Sequence, residues 1–234
     1  MTAFADEEKS LPEQLAEKVI SLILDEKLKP GERLPNETIL GHKLGASRSS
    51  LREAMKLLSS RNIVTIRQGS GTYVAASPGM IDDPLGFTFI SDKFKLVQDL
   101  LEIRFLLEPP IAARAALHAT DKDISDIVRL CNEVEYLIRA GKDHTQRDIE
   151  FHSAIAMSSK NVVIPRLFPV LSTSIPLFVE LTKNELPEET ILIHKRIASA
   201  ITAHDPIRAQ DAMYLHLTFN RNRIQDPEMA KLFI

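Results

Sequence analysis

Cysteine is nearly missing from the chain. Cys131 stands alone among 234 residues, so no disulfide can form within the chain, and a reducing cytosol suits it. Long apolar runs are missing too: none approaches the ~20 residues that a membrane-spanning helix requires. The opening MTAFADEEKS is acidic and polar, which argues against a secretory signal. Strand alternation is absent beyond one short hairpin, and no unit of about 20–50 residues repeats. With 44% hydrophobic and 26% charged residues, the balance is that of an ordinary globular chain. These observations predict a mainly α, cytoplasmic protein with no membrane attachment.

Positive charge is slightly outnumbered overall but concentrated. The formal net charge is -3, yet the stretch from Lys27 to Tyr73 holds nine basic residues against three acidic ones. A basic segment inside an acidic chain fits a local site for a polyanion; a solvated helix face would give the same count.

Local signals divide the chain. Residues 10–28 are helical, with Ser10 and Glu13 spaced for a capping box and Leu11, Leu15, Val19, Leu22 and Ile23 on one face. Pro30 and Gly31 end that helix. Asn36 opens a short second helix, which Gly45 breaks, and Ser47 opens a third with Leu51, Ala54, Met55 and Leu58 inward. Residues 63–66 and 72–74 are strand formers around the glycine-rich turn RQGSG. Helix, helix–turn–helix and hairpin in this order predict a winged helix-turn-helix. Residues 76–86, with two prolines and two glycines, read as linker. Beyond about Asp92 the periodicity is helical throughout. The segments are 99–117 interrupted by Pro109-Pro110, a helix opened by Thr120 and Asp123 and closed by Gly141, then 143–159, 162–183 with proline bends, 188–203 and 206–224. About 140 residues suffice for a bundle with its own core. The predicted division is a DNA-binding domain over 1–75, a linker over 76–91, and an all-helical effector-binding and dimerisation domain over 92–234.

GASRSSLREAM, residues 45–55, carries the chemistry of a reading helix. A helix entering the major groove presents its first turn to base edges. Short hydroxyls there approach bases and phosphates closely, free backbone amides bind phosphate, and flanking cations add salt-dependent affinity. Ser47, Ser49 and Ser50 with Arg48 and Arg52 fill those roles. At the hairpin tip, Gly69 allows close backbone approach, while Arg67 and Gln68 reach phosphates or minor-groove acceptors. Arg33 completes the candidate DNA-contacting set. The run from LKPGERLP through SRSSLREA to RQGSGTYV resembles the DNA-binding domain of the GntR family of bacterial transcription regulators, over about residues 10–75. That resemblance puts Ser47, Arg48, Ser49 and Arg52 at DNA-contacting positions and Gly69 in the wing. It also implies an arginine shortly after LP, where this chain has Thr38, so half-site preference differs.

Seven histidines are present. His42, His118, His144 and His204 read as surface or helix-end residues. Asp148 and His152 share one helix face at i and i+4, and His194 and His216 fall within later apolar helices. From the residues alone two readings stand: a divalent metal site built from facing helices, or hydrogen-bonded core histidines. LLEIRFLLEPPIAARAA, RDIEFHSAIA and IHKRIASAITAHDPIRAQDAMYLHL resemble the FCD domain of the FadR-type subfamily. The resemblance implies that Asp148, His152, His194 and His216 hold a divalent ion, zinc first, with nickel or manganese as alternatives. It places Arg104 against an effector pocket, where its guanidinium would pair with a carboxylate; an ion pair with Glu108 is the other reading. Asn161 matches a family asparagine and either touches effector or caps the following helix.

The expected function is a metabolite-responsive repressor of a carbohydrate or organic-acid catabolic operon, not an enzyme. Its expected partners are a palindromic double-stranded operator, bound as a homodimer, and a small carboxylate or sugar-acid effector beside the metal. Two alternatives are weaker. A metal-dependent enzyme leaves the N-terminal domain unexplained, and a fatty-acyl-responsive regulator without metal leaves the histidine set unexplained.

Overall fold

The computed structural model describes residues 9–81, 83–182 and 187–224. The acidic opening up to Glu8, Asp82 of the linker, Lys183 of the expected 162–183 helix and the last ten residues of the expected 92–234 domain lie outside the described residues. The chain divides into two compact units, Met1–Pro84 and Leu85–Ile234.

In the first unit three helices precede a hairpin: α1 (Leu11–Asp25), α2 (Glu37–Leu44), α3 (Arg48–Ser60), β1 (Val64–Arg67) and β2 (Gly71–Val74). Each helix begins where a polar side chain serves free amides. The Glu13 carboxylate accepts from the Ser10 amide at 2.9 Å, Asn36 Oδ1 from Ile39 N at 2.9 Å, and Ser47 Oγ from Ser50 N at 3.1 Å. Gly45 ends α2 at φ 64, the left-handed conformation that glycine adopts without a Cβ penalty. The strands pair antiparallel from Val64–Val74 to Arg67–Gly71. Leu15, Val19, Leu40, Leu51, Leu58 and Val74 are buried in one core. The sequence signals missed one feature. Residues 31–34 run along the free edge of β2: Val74 N donates to Glu32 O at 2.8 Å and Leu34 N to Thr72 O at 2.9 Å.

The second unit is helical: α4 (Lys93–His118), α5 (Asp121–Arg139), α6 (Thr145–Ser158), α7 (Ile164–Ser172), α8 (Ser174–Thr182), α9 (Pro187–Thr202) and α10 (Pro206–Ile224). Its core joins Ile111, Ala115, Ile127, Phe151, Ile197 and Met213 from five of these helices. Two expectations are corrected. Pro109 and Pro110 sit inside a continuous α4, rather than interrupting it. They deprive the Phe105 and Leu106 carbonyls of helical partners, on a turn where Leu106 is exposed. In place of one bent helix over 162–183, the described residues form two helices, Ile164–Ser172 and Ser174–Thr182, broken at Thr173. The break puts Pro176 in the first turn of α8, where its missing N–H costs nothing. The break falls within the apolar stretch Ile164–Leu181. Two nine-residue helices of ~13.5 Å each fall well short of a ~30 Å hydrocarbon core.

Candidate functional site

On the first unit, Ser47 sits at the N-terminus of α3 with its Oγ 3.0 Å from Ser49 Oγ and 2.9 Å from Ser50 Oγ. Arg48, Ser49 and Arg52 are exposed around them, while Leu51, Ala54 and Met55 face the core. Arg52 Nε lies 3.1 Å from Glu37 Oε2 of α2, an exposed pair that water screens and a phosphate can displace. Thr38 is exposed on the same short helix. At the hairpin, Arg67 and Gln68 are exposed and Gly69 has φ 72. The Arg67 guanidinium carbon lies 4.4 Å from the centroid of the Tyr73 ring, and Tyr73 Oη lies 2.7 Å from Ser70 Oγ. Arg33 bridges to Tyr73 through the backbone, and its guanidinium fills the space where a Cβ on Gly71 would stand, 2.8 Å from Nε. Arg33 and Arg67 thus flank one wing, a convergence that sequence spacing does not show.

In the second unit the structure gathers Asp148 and His152 from α6, His194 from α9 and His216 from α10. One nitrogen from each of the three imidazoles lies within 4.8 Å of the others. Ring centroids are 4.9 Å apart for His194 and His216 and 5.0 Å for His152 and His216. Asp148 stands at the edge of this trio, its Oδ1 3.4 Å from His194 Nε2 without the geometry of a hydrogen bond. All four are buried, His194 completely. Phe151 stacks on His194 at 4.5 Å and fixes its ring plane.

Burial pushes the His194 and His216 imidazoles well below their ordinary pKa, and the neighbouring histidines push further. Both rings are therefore held in the neutral form, and His216 Nε2 lies 3.4 Å from Asn220 Nδ2. Both nitrogens of His152, both of His194 and Asp148 Oδ1 are buried without a hydrogen-bond partner among the described residues. Unpartnered polar atoms in a core are costly unless something serves them. Three neutral imidazoles and a carboxylate make a donor set that suits a borderline divalent cation, so these residues fit a metal ion.

Arg104 is buried on α4 at 2% exposure. Its Nε donates to Glu108 Oε1, Nη2 to Glu108 Oε2 at 3.2 Å, and Nη1 to Ser174 Oγ at 3.4 Å. The ion pair with Glu108 is therefore present, within one helix and in the interior. Glu108 Oε2 also lies 3.0 Å from His152 Nδ1. Burial pushes the Glu108 carboxyl up, but Arg104 and His152 outweigh it and hold the group well below the usual carboxylate range. Asn161 is not part of this cluster. Its Oδ1 accepts from Val163 N at 2.8 Å and Ile164 N at 3.1 Å, which caps α7.

Sequence reasoning missed two members. Glu108 figured only as a partner of Arg104; an R-x3-E pair inside an apolar helix was the available signal. His144 was read as a surface or helix-end residue. It does stand at the start of α6, but it is 4% exposed, with Nδ1 unpartnered, and it disfavours positive charge on His194. Packing of α6 into the bundle buries that helix end, which no local signal reports.

Residues 99–219 match the FCD domain, and residues 11–74 match the bacterial regulatory proteins of the gntR family. The chain is 32% identical over 237 residues to the Glc operon transcriptional activator of Escherichia coli (strain K12), covering 96% of this chain and 92% of that one. It is 32% identical over 209 residues to the HTH-type transcriptional regulator LutR of Bacillus subtilis (strain 168), covering 84% and 93%. Among solved structures, Streptococcus agalactiae GntR superposes with a TM-score of 0.81 at 38% identity, covering 90% of this chain and 99% of that one.

Proposed function

Since the chain belongs to the GntR family of DNA-binding transcription regulators and carries an FCD domain, we propose that it is a metal-dependent, acid-responsive repressor of an organic-acid or carbohydrate catabolic operon. The domain division is DNA-binding over 1–75, linker over 76–91 and effector-binding with dimerisation over 92–234. A cytoplasmic homodimer would bind a palindromic operator, each α3 reading one half-site. Arg33, Ser47, Arg48, Ser49, Ser50, Arg52, Arg67, Gln68 and Gly69 form the contact set. Asp148, His152, His194 and His216 would hold a divalent ion, zinc by preference, which supplies a Lewis-acidic site for a carboxylate or hydroxyl oxygen. Arg104 would pair with the carboxylate of a small acid or sugar acid. Asn161 supports the site by capping α7.

The observation that carries this reading is the buried trio of imidazoles, two of them held neutral, joined through Glu108 to a buried guanidinium. An effector acts only by binding one state of the dimer better than the other, so it must favour the state that releases DNA. The test has three readouts. Wild type should carry stoichiometric metal by elemental analysis, and His152→Ala with His194→Ala should carry none; unchanged metal content refutes the ligand set. A thermal-shift screen of sugar acids and small carboxylates on metal-loaded protein should return a ligand, with ~2.7 kcal/mol of added stability at 100 times its dissociation constant. That ligand should release a labelled operator in a gel shift, and a reporter fused to the operator decides repression against activation.

A further inference from the structure

Among the described residues, Glu108 is the one carboxylate that lies against both halves of the buried cluster. Its Oε2 is shared: Arg104 Nη2 donates to it at 3.2 Å, and His152 Nδ1 lies 3.0 Å away. Its Oε1 is taken by Arg104 Nε. The Arg104, Glu108 and His152 side chains are exposed by only 2%, 3% and 1%. An ion pair kept for stability alone gains little by being buried, since well-packed apolar side chains serve as well. A carboxylate seated on one ring nitrogen of a histidine does something specific. It fixes the tautomer, orients the ring and makes the other nitrogen a better ligand. Here His152 Nδ1 lies 3.0 Å from Glu108 Oε2 without the geometry of a formed hydrogen bond, and the other nitrogen, Nε2, is buried with no partner among the described residues.

We propose that Glu108 is a positioning residue that couples the anion-receiving arginine to the metal-binding histidines: its Oε2 faces His152 Nδ1, leaving Nε2 for the metal, while Arg104 holds the same oxygen. The inference rests on the metal-and-anion reading above. An anion that draws Arg104 Nη2 toward itself frees Oε2 for His152. The imidazole then becomes the stronger ligand, so metal tightens anion binding and anion tightens metal binding by one common factor.

Zinc affinity of the whole chain, measured by competition with a chelator, tests this in wild type and Glu108→Gln. The variant should lose about 10–100-fold in zinc affinity while keeping a cooperative thermal transition. In wild type, acetate should raise zinc affinity several-fold over chloride at equal ionic strength, and this ratio should fall toward one in Glu108→Gln. Equal zinc affinity in the two proteins, or an equal acetate ratio, overturns the coupling and leaves the metal reading standing. Wild type that binds no zinc overturns the metal reading itself and the coupling with it. Should Glu108→Gln not fold, the wild type decides alone. Long-range nitrogen–proton NMR of the zinc-loaded protein should show His152 protonated on Nδ1 and metal-bound through Nε2. Binding through Nδ1 would refute the proposal.

Discussion

At the scale of single residues, the Arg104–Glu108 pair separates function from stability. Arg104→Ala leaves the Glu108 charge buried and weakly compensated, so urea unfolding should show a loss of about 3–5 kcal/mol. Replacing both groups at once, Arg104→Met with Glu108→Leu, removes the stranded charge. That double variant should unfold within a few kcal/mol of wild type, on either side. If it is as unstable as Arg104→Ala, the pair is structural after all and its burial needs no functional explanation. Cys131 makes the opposite case. Burial pushes its thiol up to about 11, so almost no thiolate is present at pH 8. A thiol reagent should label native protein only as fast as the bundle opens and should label urea-unfolded protein at once; fast native labelling would show the α5 face open to solvent.

At the scale of elements, caps explain why so much of the fold was legible. Glu13, Asn36, Ser47 and Thr120 each serve an amide three residues away, so the signal and its structural consequence are both local. The metal-ligand candidates were legible for a similar reason: i and i+4 on α6 share a face. Pairings between distant segments were not. Residues 31–34 against β2, Glu108 against His152 and the burial of His144 depend on what the rest of the chain brings up to them. The Thr120 cap of α5 also carries a pH signature. Burial pushes the Asp123 carboxyl up, but hydrogen bonds from Lys160 and Thr120 outweigh it and lower it to about 2. A carboxylate lowered by folding stabilises the native state fully above its unfolded pKa, near 3.8, and loses that contribution as pH falls through its folded value. Asp123→Asn should therefore melt below wild type at pH 7, and the gap should close between about pH 4 and pH 2. A gap that stays constant with pH would show that the Lys160 pair contributes nothing beyond the amide cap.

At the scale of the whole molecule, charge is segregated so that an acidic chain can bind a polyanion. The stretch from Lys27 to Tyr73 is strongly basic although the net charge is -3. Non-specific attraction to DNA follows the local field around the reading helix and wing, with the acidic remainder limiting how much is gained at long range. Operator affinity should therefore fall steeply with salt, in proportion to the phosphates neutralised. Arg48→Ala, Arg52→Ala and Arg67→Ala can then be sorted by a single titration each, reading log affinity against log salt on the operator and on a scrambled duplex. A phosphate contact is expected to lower the slope by about 0.9 and to weaken both duplexes alike. A base contact should leave the slope nearly unchanged, cost about 1–3 kcal/mol on the operator and spare the scrambled duplex. Arg67, stacked on Tyr73 at the wing, is expected in the first class; Arg48 and Arg52 flank the α3 N-terminus and are expected to divide between the two. If none of the three changes either quantity, α3 and the wing are not the surface that meets DNA.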